Sequence, residues 1–343
     1  MMRSRRFNRW HSFLMAGIFF LLSQVSLVAQ RVPVLSQVSL PHSYYYREMY
    51  LPQLTAGPSS LDWFPDGSSI IFSMGGSLWR HAIGSNVAEQ LTDGDGYDYQ
   101  PDVSPDGRLV LFTRYNGNAM ELQVMDLSTK QVTALTTGKA VMLEPRWSPD
   151  GKSIVYVSTQ TSGHFLLYKA SFSGNTLSGI TCLTPDHQSA VRRYYYSPWD
   201  HAINPVFMPD GKSVVYVSNR EIAHGTGDLV KLDLTSLYSE MVHHEETNWR
   251  TRPDVSPDGS RLVYSSYQGR NHHQLWLLPV NGGFPVALTY GEFDNTSPRW
   301  SPDGSSIAFI SNRDGNTAIW IAGAMDGRQR QVKFSEFRYL KPR

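Results

Sequence analysis

The residues whose types could hold a metal or move a proton lie in a few short runs: His243-His244-Glu245-Glu246, His272-His273 and Asp93-Gly94-Asp95-Gly96. In the histidine runs the imidazoles are direct neighbours. On a strand, neighbours point to opposite faces, so such a pair rarely shares one ion. The acidic run lacks the twelve-residue ligand spacing of a calcium loop and reads as a turn. Cys182 is the only cysteine, set in the apolar run 180–183, and reads as a buried structural thiol. No Gly-x-Ser-x-Gly elbow, phosphate loop, His-Glu-x-x-His or Cys-x-x-Cys is present. These residues therefore assemble no catalytic centre, no metal site and no cofactor site.

The elements that must position any site come from a repeat. The pattern x-Pro-Asp-Gly occurs at Asp66, Asp106, Asp150, Asp210, Asp258 and Asp303, with intervals of 40, 44, 60, 48 and 45 residues. Proline presets φ for the first corner of a type I turn, aspartate fits the second, and glycine takes the left-handed position that follows. The aspartates are thus turn formers. Each turn is followed by a continuous apolar run, such as 109–112 or 154–157, which predicts strands buried on both faces. A third strand follows, and a fourth often ends in Leu-Thr (Leu91-Thr92, Leu135-Thr136, Leu183-Thr184, Leu288-Thr289). Four strands in each of six repeats predict an all-β, six-bladed propeller of antiparallel blades. Residues 51–55 and 331–334 both read as the fourth strand that would complete the last blade. The N-terminal segment is preferred, so the ring is expected to be closed by an N-terminal strand.

In such a ring the innermost strands line the channel, and the loops before them form its mouth. That places Tyr97, Asp98, Tyr99 and Gln100 there, with Glu144 and Arg146, Asp200, His201 and Asn204, Arg250 and Arg252, and Asp294, Asn295 and Arg299. Such a ring could bind a small ligand or a peptide. It could equally be structural, because Asp62, Asp102, Arg146, Asp254 and Arg299 occupy equivalent positions and can pair between blades. The 60-residue interval holds an insertion bearing Arg192, Arg193, Tyr194, Tyr195, Tyr196 and Trp199, residue types that anchor protein contacts. A second loop in the same blade carries Arg220, Glu221 and His224 and is a further candidate for a partner.

Composition sets outer limits. The 343 residues carry a net charge of +1. Residues 1–29 contain four arginines and no acid, which leaves 27 basic against 30 acidic residues. This gives no electrostatic case for nucleic acid or an anionic membrane surface. Arg3 to Arg9 followed by an apolar run at 13–22 and Ala29 read as a signal peptide over 1–29. The expected organisation is signal peptide 1–29, extension 30–48, propeller 49–335 and tail 336–343. The location is periplasmic or secreted, with no transmembrane segment once the signal is removed.

The Pro-Asp-Gly blocks, the tryptophans that precede them (Trp147, Trp300) and the trailing Leu-Thr pairs resemble the TolB-type propeller (a WD40-like Pro-Asp repeat) over residues 50–335. A narrower resemblance covers 48–53, 97–100, 200–205, 220–228, 245–253, 312–316 and 338–342, which look like the propeller half of exported amidohydrolase-like metallohydrolases. There a catalytic domain follows the propeller, which would make 336–343 the start of a missing domain. Two functions follow. One is a non-catalytic exported scaffold that binds a protein or ligand. The other is the propeller portion of a metal-dependent amidohydrolase whose catalytic domain is missing or on another chain.

Overall fold

In a computed structural model, residues 51–52, 57–192, 198–221, 227–247, 251–267 and 271–341 are described. They form the six four-stranded antiparallel blades that the repeat predicts. Blade one is β1 (Ser60–Trp63), β2 (Ser69–Met74), β3 (Ser77–Ala82) and β4 (Val87–Gln90). Blade two is β5 (Tyr97–Val103), β6 (Leu109–Tyr115), β7 (Met120–Asp126) and β8 (Val132–Ala134). Blade three is β9 (Met142–Trp147), β10 (Ser153–Ser158), β11 (Leu166–Ser173) and β12 (Thr176–Cys182). Blade four is β13 (Ala202–Phe207), β14 (Ser213–Ser218), β15 (Gly227–Asp233) and β16 (Ser239–Thr247). Blade five is β17 (Asp254–Val255), β18 (Arg261–Ser266), β19 (Gln274–Pro279) and β20 (Val286–Ala287). Blade six is β21 (Asn295–Trp300), β22 (Ser306–Ser311), β23 (Ala318–Gly323) and β24 (Gln329–Gln331).

Local chemistry explains why each blade forms. The six turn glycines have φ between 67° and 72°, a region that costs any residue with a Cβ. In the second turn Asp106 Oδ1 accepts from the Ser104 hydroxyl at 2.6 Å and from the Arg108 N–H at 3.1 Å, and the third, fifth and sixth turns repeat this. The second strand of each blade is sandwiched between its neighbours, and Val110, Val155, Val215, Val263 and Ala308 have no exposed surface. The Leu-Thr endings also have a mechanism. The hydroxyls of Thr92, Thr136, Thr184 and Thr289 accept the backbone N–H of Leu78, Leu122, Leu167 and Leu275, each at 2.9 Å. Each threonine satisfies a donor near the start of the third strand beside it. Blade four, which lacks Leu-Thr, uses Asp228 Oδ1 and the Glu245 N–H instead, at 2.7 Å.

Closure unites the two ends of the chain, as expected: the N-terminal strands of blade one share a sheet with a C-terminal strand. The outer place in blade six is held by Gln329–Gln331, paired with β23; the N-terminal segment expected to close the ring was 51–55. Of that segment, 53–56 lie outside the described residues. The chain then adds β25 (Glu336–Arg338) in parallel to β4, giving blade one a fifth strand. The tail therefore extends the propeller past residue 335. The reason is aromatic: Phe337 and Tyr339 meet Trp79 edge-on at 5.6 and 5.4 Å, and Phe334 stacks on Phe72 at 5.3 Å. Blades one and six share one apolar cluster, from Leu61 and Trp63 to Ile319 and Val332, and the Trp63 indole donates to the Arg299 carbonyl at 3.2 Å.

Candidate functional site: the hub funnel

Five of the six inner strands carry a second proline four residues before the turn proline: Pro101, Pro145, Pro205, Pro253 and Pro298. Proline has no N–H for the ladder, so a strand tolerates it at a bulge. The pairing register indeed shifts beside it in blades two, three, four and six. The residue before each proline has positive φ: Gln100 at 54°, Glu144 at 54°, Asn204 at 53°, Arg252 at 36° and Ser297 at 54°. For residues other than glycine this backbone is costly, and repeated five times it is a device that re-aims a side chain. With Ser60 from blade one, these six residues ring a solvent-open funnel. Its collar is Leu61 with Pro145, Pro205, Pro253 and Pro298, and Arg146 and Arg299 reach its floor.

The ring is stitched in one direction. Ser60 Oγ accepts the Gln100 N–H at 3.0 Å, Gln100 Oε1 accepts the Glu144 N–H at 3.0 Å, and Glu144 Oε2 accepts the Asn204 N–H at 2.6 Å. Asn204 Oδ1 accepts the Arg252 N–H at 3.2 Å, and Arg252 Nη1 donates onward to Ser297 Oγ at 2.8 Å. The first four side chains thus hold the strained backbone of the next blade, and Arg252 holds the Ser297 side chain.

Two residues further along each inner strand lies a second ring: Asp62, Asp102, Arg146, Val206, Asp254 and Arg299. Asp62, Asp102 and Asp254 accept the N–H of Val103, Trp147 and Trp300 from the following blade at 2.8, 2.7 and 2.8 Å. Arg146 bridges Asp102 at 2.8 Å and Asp254 at 2.7 Å. Arg299 donates to the Leu61 carbonyl at 3.2 Å and lies 3.5 Å from Asp254 and 3.8 Å from Asp102. The inter-blade ion pairing that the equivalent positions allow is therefore formed. Burial raises the Asp62 carboxyl to about 6, with Arg146 opposing. Burial also raises Asp102, well above the carboxylate range, and Asp254. Burial works against the Arg146 charge too, but Asp102, Asp254 and Asp62 outweigh it and hold the guanidinium protonated. Glu144 is likewise raised by burial, against the pull of Arg252.

Of the channel-mouth candidates, Gln100, Glu144, Arg146, Asn204, Arg252 and Arg299 line the funnel. Seven do not. Asp98 clamps Arg114 at 2.6 and 2.8 Å, Tyr99 is buried in the core, and Tyr97 packs edge-on against it. Asp200 holds His187 at 2.7 Å, and the His201 N–H donates to Asn219. Asp294 receives the His273 N–H and ring, and Asn295 is buried against Gln274 and Thr289. These residues precede the bulge, and their side chains bond away from the funnel, Asp98 within blade two and Asn295 across to blade five. Arg250 lies outside the described residues, as do Arg193, Tyr194, Tyr195, Tyr196 and His224. Of the rest of the insertion, Arg192 is exposed and Trp199 stacks on His164 at 5.2 Å. Arg220 and Glu221 are exposed. Ser60, Ser297 and the collar prolines were missed by sequence reasoning, although the Pro-x-x-x-Pro spacing was there to be read.

The histidine runs behave as solvated or strand-edge groups: His244 pairs with Asp228 at 3.1 Å, and His272 and His273 both face Asp294. Among the described residues no three His, Cys, Asp or Glu side chains converge as metal ligands. Cys182 is half-buried rather than buried, because it lies on the outer strand of blade three, and desolvation still raises its thiol.

A closed ring of four-stranded blades around a polar, ion-paired hub defines a six-bladed β-propeller. Residues 194–343 match the family model of the TolB beta propeller domain, PD40. The Tol-Pal system protein TolB of Francisella tularensis subsp. mediasiatica is 27% identical over 258 residues, covering 62% of this chain and 59% of that protein. The crystal structure of TolB from Acinetobacter baumannii superposes with a TM-score of 0.57 at 22% identity, covering 71% of this chain and 57% of that one. A putative TolB from Agrobacterium tumefaciens gives a TM-score of 0.57 at 20% identity over 71% of this chain and 83% of that one. This chain is a six-bladed β-propeller similar to the TolB-type (PD40) propellers. It spans about three fifths of the length of the curated relatives it matches.

Proposed function

We propose that this chain is a non-catalytic, exported binding propeller that takes a protein segment or small ligand into its hub funnel. One observation carries the reading: five strained pre-proline residues turn Gln100, Glu144, Asn204, Arg252 and Ser297 toward an open funnel. Strained backbone concentrates where it serves a site. A ring needed only for stability could be filled with apolar side chains at no such cost. The Francisella relatives are named for the Tol-Pal system, in keeping with a binding role. Export rests on the arginine-led apolar run of the first 29 residues. Among the described residues no helix is long and apolar enough to cross a membrane. Exposed Arg192, Arg220 and Glu221 extend the contact surface on blade four.

The test is a random peptide-display selection on the purified protein, counter-screened with Ser297→Trp, which fills the funnel. Enriched peptides should lose binding to the variant by at least about tenfold, or ~1.4 kcal/mol. Peptides that bind both proteins equally would remove the funnel from the function.

A further inference from the structure

The chemistry of the funnel's ligand can be read from what its walls leave unused. This step rests on the funnel being the binding site. The acceptors on the wall are already engaged. Glu144 Oε1 takes the Asn204 side-chain amide at 2.5 Å, and its Oε2 takes the Asn204 N–H. Gln100 Oε1 takes the Glu144 N–H and the Thr113 hydroxyl at 3.2 Å. Asn204 Oδ1, Ser60 Oγ and Ser297 Oγ each receive an inter-blade bond. The three aspartates of the second ring point their oxygens at backbone N–H groups and guanidiniums, and none of them lines the funnel.

What remains is donors. Among the described residues, Nε2 of Gln100 and Nη1 of Arg146 meet no acceptor. Arg299 Nη1 and Nη2 are 3.5 and 3.8 Å from the nearest carboxylate oxygens, beyond the usual N–H···O length. The two guanidiniums share the same two atoms, Asp254 Oδ1 and Asp102 Oδ1, so they lie together on the floor. Paired guanidiniums with spare N–H groups, beside a spare amide, suit a planar anion with two acceptor oxygens. A cationic ligand would have to share wall acceptors that each already take a bond. We propose that the hub funnel binds a carboxylate-bearing ligand, seated with its carboxylate on Arg146, Arg299 and the Gln100 amide.

The carboxylate could be the C-terminus of an extended peptide or that of a small organic acid, and calorimetric titration of the full chain separates the two. The probes are acetyl-Ala-Ala-Ala with a free C-terminus, the same peptide as its C-terminal amide, and glutarate. At least one acid should bind at one site per chain with Kd below ~1 mM, the amide at least about tenfold more weakly than the free peptide. Glutarate binding without the peptide assigns a small organic acid, and the reverse assigns a chain terminus. Gln100→Glu keeps the oxygen that holds Glu144 and Thr113, removes the donor and adds a negative charge, so it should weaken the acids at least tenfold. Should that variant not fold, the acid-to-amide ratio on the unaltered protein decides alone. Equal binding of acid and amide, no binding of either acid at about 10 mM, or acids indifferent to Gln100→Glu in the folded variant would each overturn the carboxylate assignment. Display-selected peptides that still discriminate Ser297→Trp would then show that the funnel binds some other chemistry.

Discussion

Asp62, Asp102 and Asp254 sit four residues before Asp66, Asp106 and Asp258, yet the two sets of carboxylates live in opposite worlds. The turn aspartates are exposed and held low by the serine hydroxyls and backbone N–H groups they accept, Asp258 down to about 2. The hub aspartates are buried, and desolvation pushes them up, Asp62 to about 6. Their bonds differ in reach as well. A turn aspartate bonds within two residues, whereas Asp62, Asp102 and Asp254 accept N–H groups 41, 45 and 46 residues away in the next blade. The first set shapes one hairpin. The second bolts one blade to the next, and pays for it in desolvation.

The contrast can be broken most forcefully at Asp102. Asp102→Ala strands the buried Trp147 N–H and leaves Arg146 with one carboxylate in place of two close ones. Urea unfolding should show a loss of about 3–5 kcal/mol. A loss below about 1 kcal/mol would put the hub on the same footing as a turn.

The next effect is set by pH. Asp62 is raised in the folded state, so the stability linked to it is full below its ordinary value of 3.8 and is lost as pH rises through about 6. That loss is of order 3 kcal/mol, and Asp102, Asp254 and Glu144 act in the same direction. The turn carboxylates are lowered, so their contribution is present above that ordinary value and is lost only as pH falls below it. The urea midpoint should therefore fall between pH 4 and pH 7, and Asp62→Asn should flatten that slope. A midpoint that instead rises over this range would mean that the hub carboxylates are stabilised as anions.

The smallest effect is expected at a turn. Asp150→Ala loses the Ser148 hydroxyl and the Lys152 N–H as partners at an exposed turn. The cost should be about 0.5–1.5 kcal/mol in the same urea assay. A cost equal to that of Asp102→Ala would erase the distinction between the two sets.

Much of this was legible in the chain. Proline, aspartate and glycine at fixed offsets announce the turn, and the ion-pairing positions 62, 102, 146, 254 and 299 follow from counting back from it. The candidate site was legible only in part. Counting placed Tyr97, Asp98 and Tyr99 beside Gln100 at the channel, but the bulge at Pro101 re-aims Gln100 alone. The same device selects Asn204 over Asp200 and His201, and Ser297 over Asp294 and Asn295. A bulge changes which face a side chain takes, and simple alternation cannot foresee it.

By itself the sequence determined the blades and their number, because those signals act over a few residues: a proline's preset φ, a glycine's left-handed turn, a threonine hydroxyl beside a leucine. Only the tertiary structure decided which strand fills blade six, where β25 docks, and how the hub carboxylates are charged. Those outcomes depend on aromatic contacts between residues some 250 positions apart, such as Trp79 and Phe337, and on water being driven from a space that no single blade encloses.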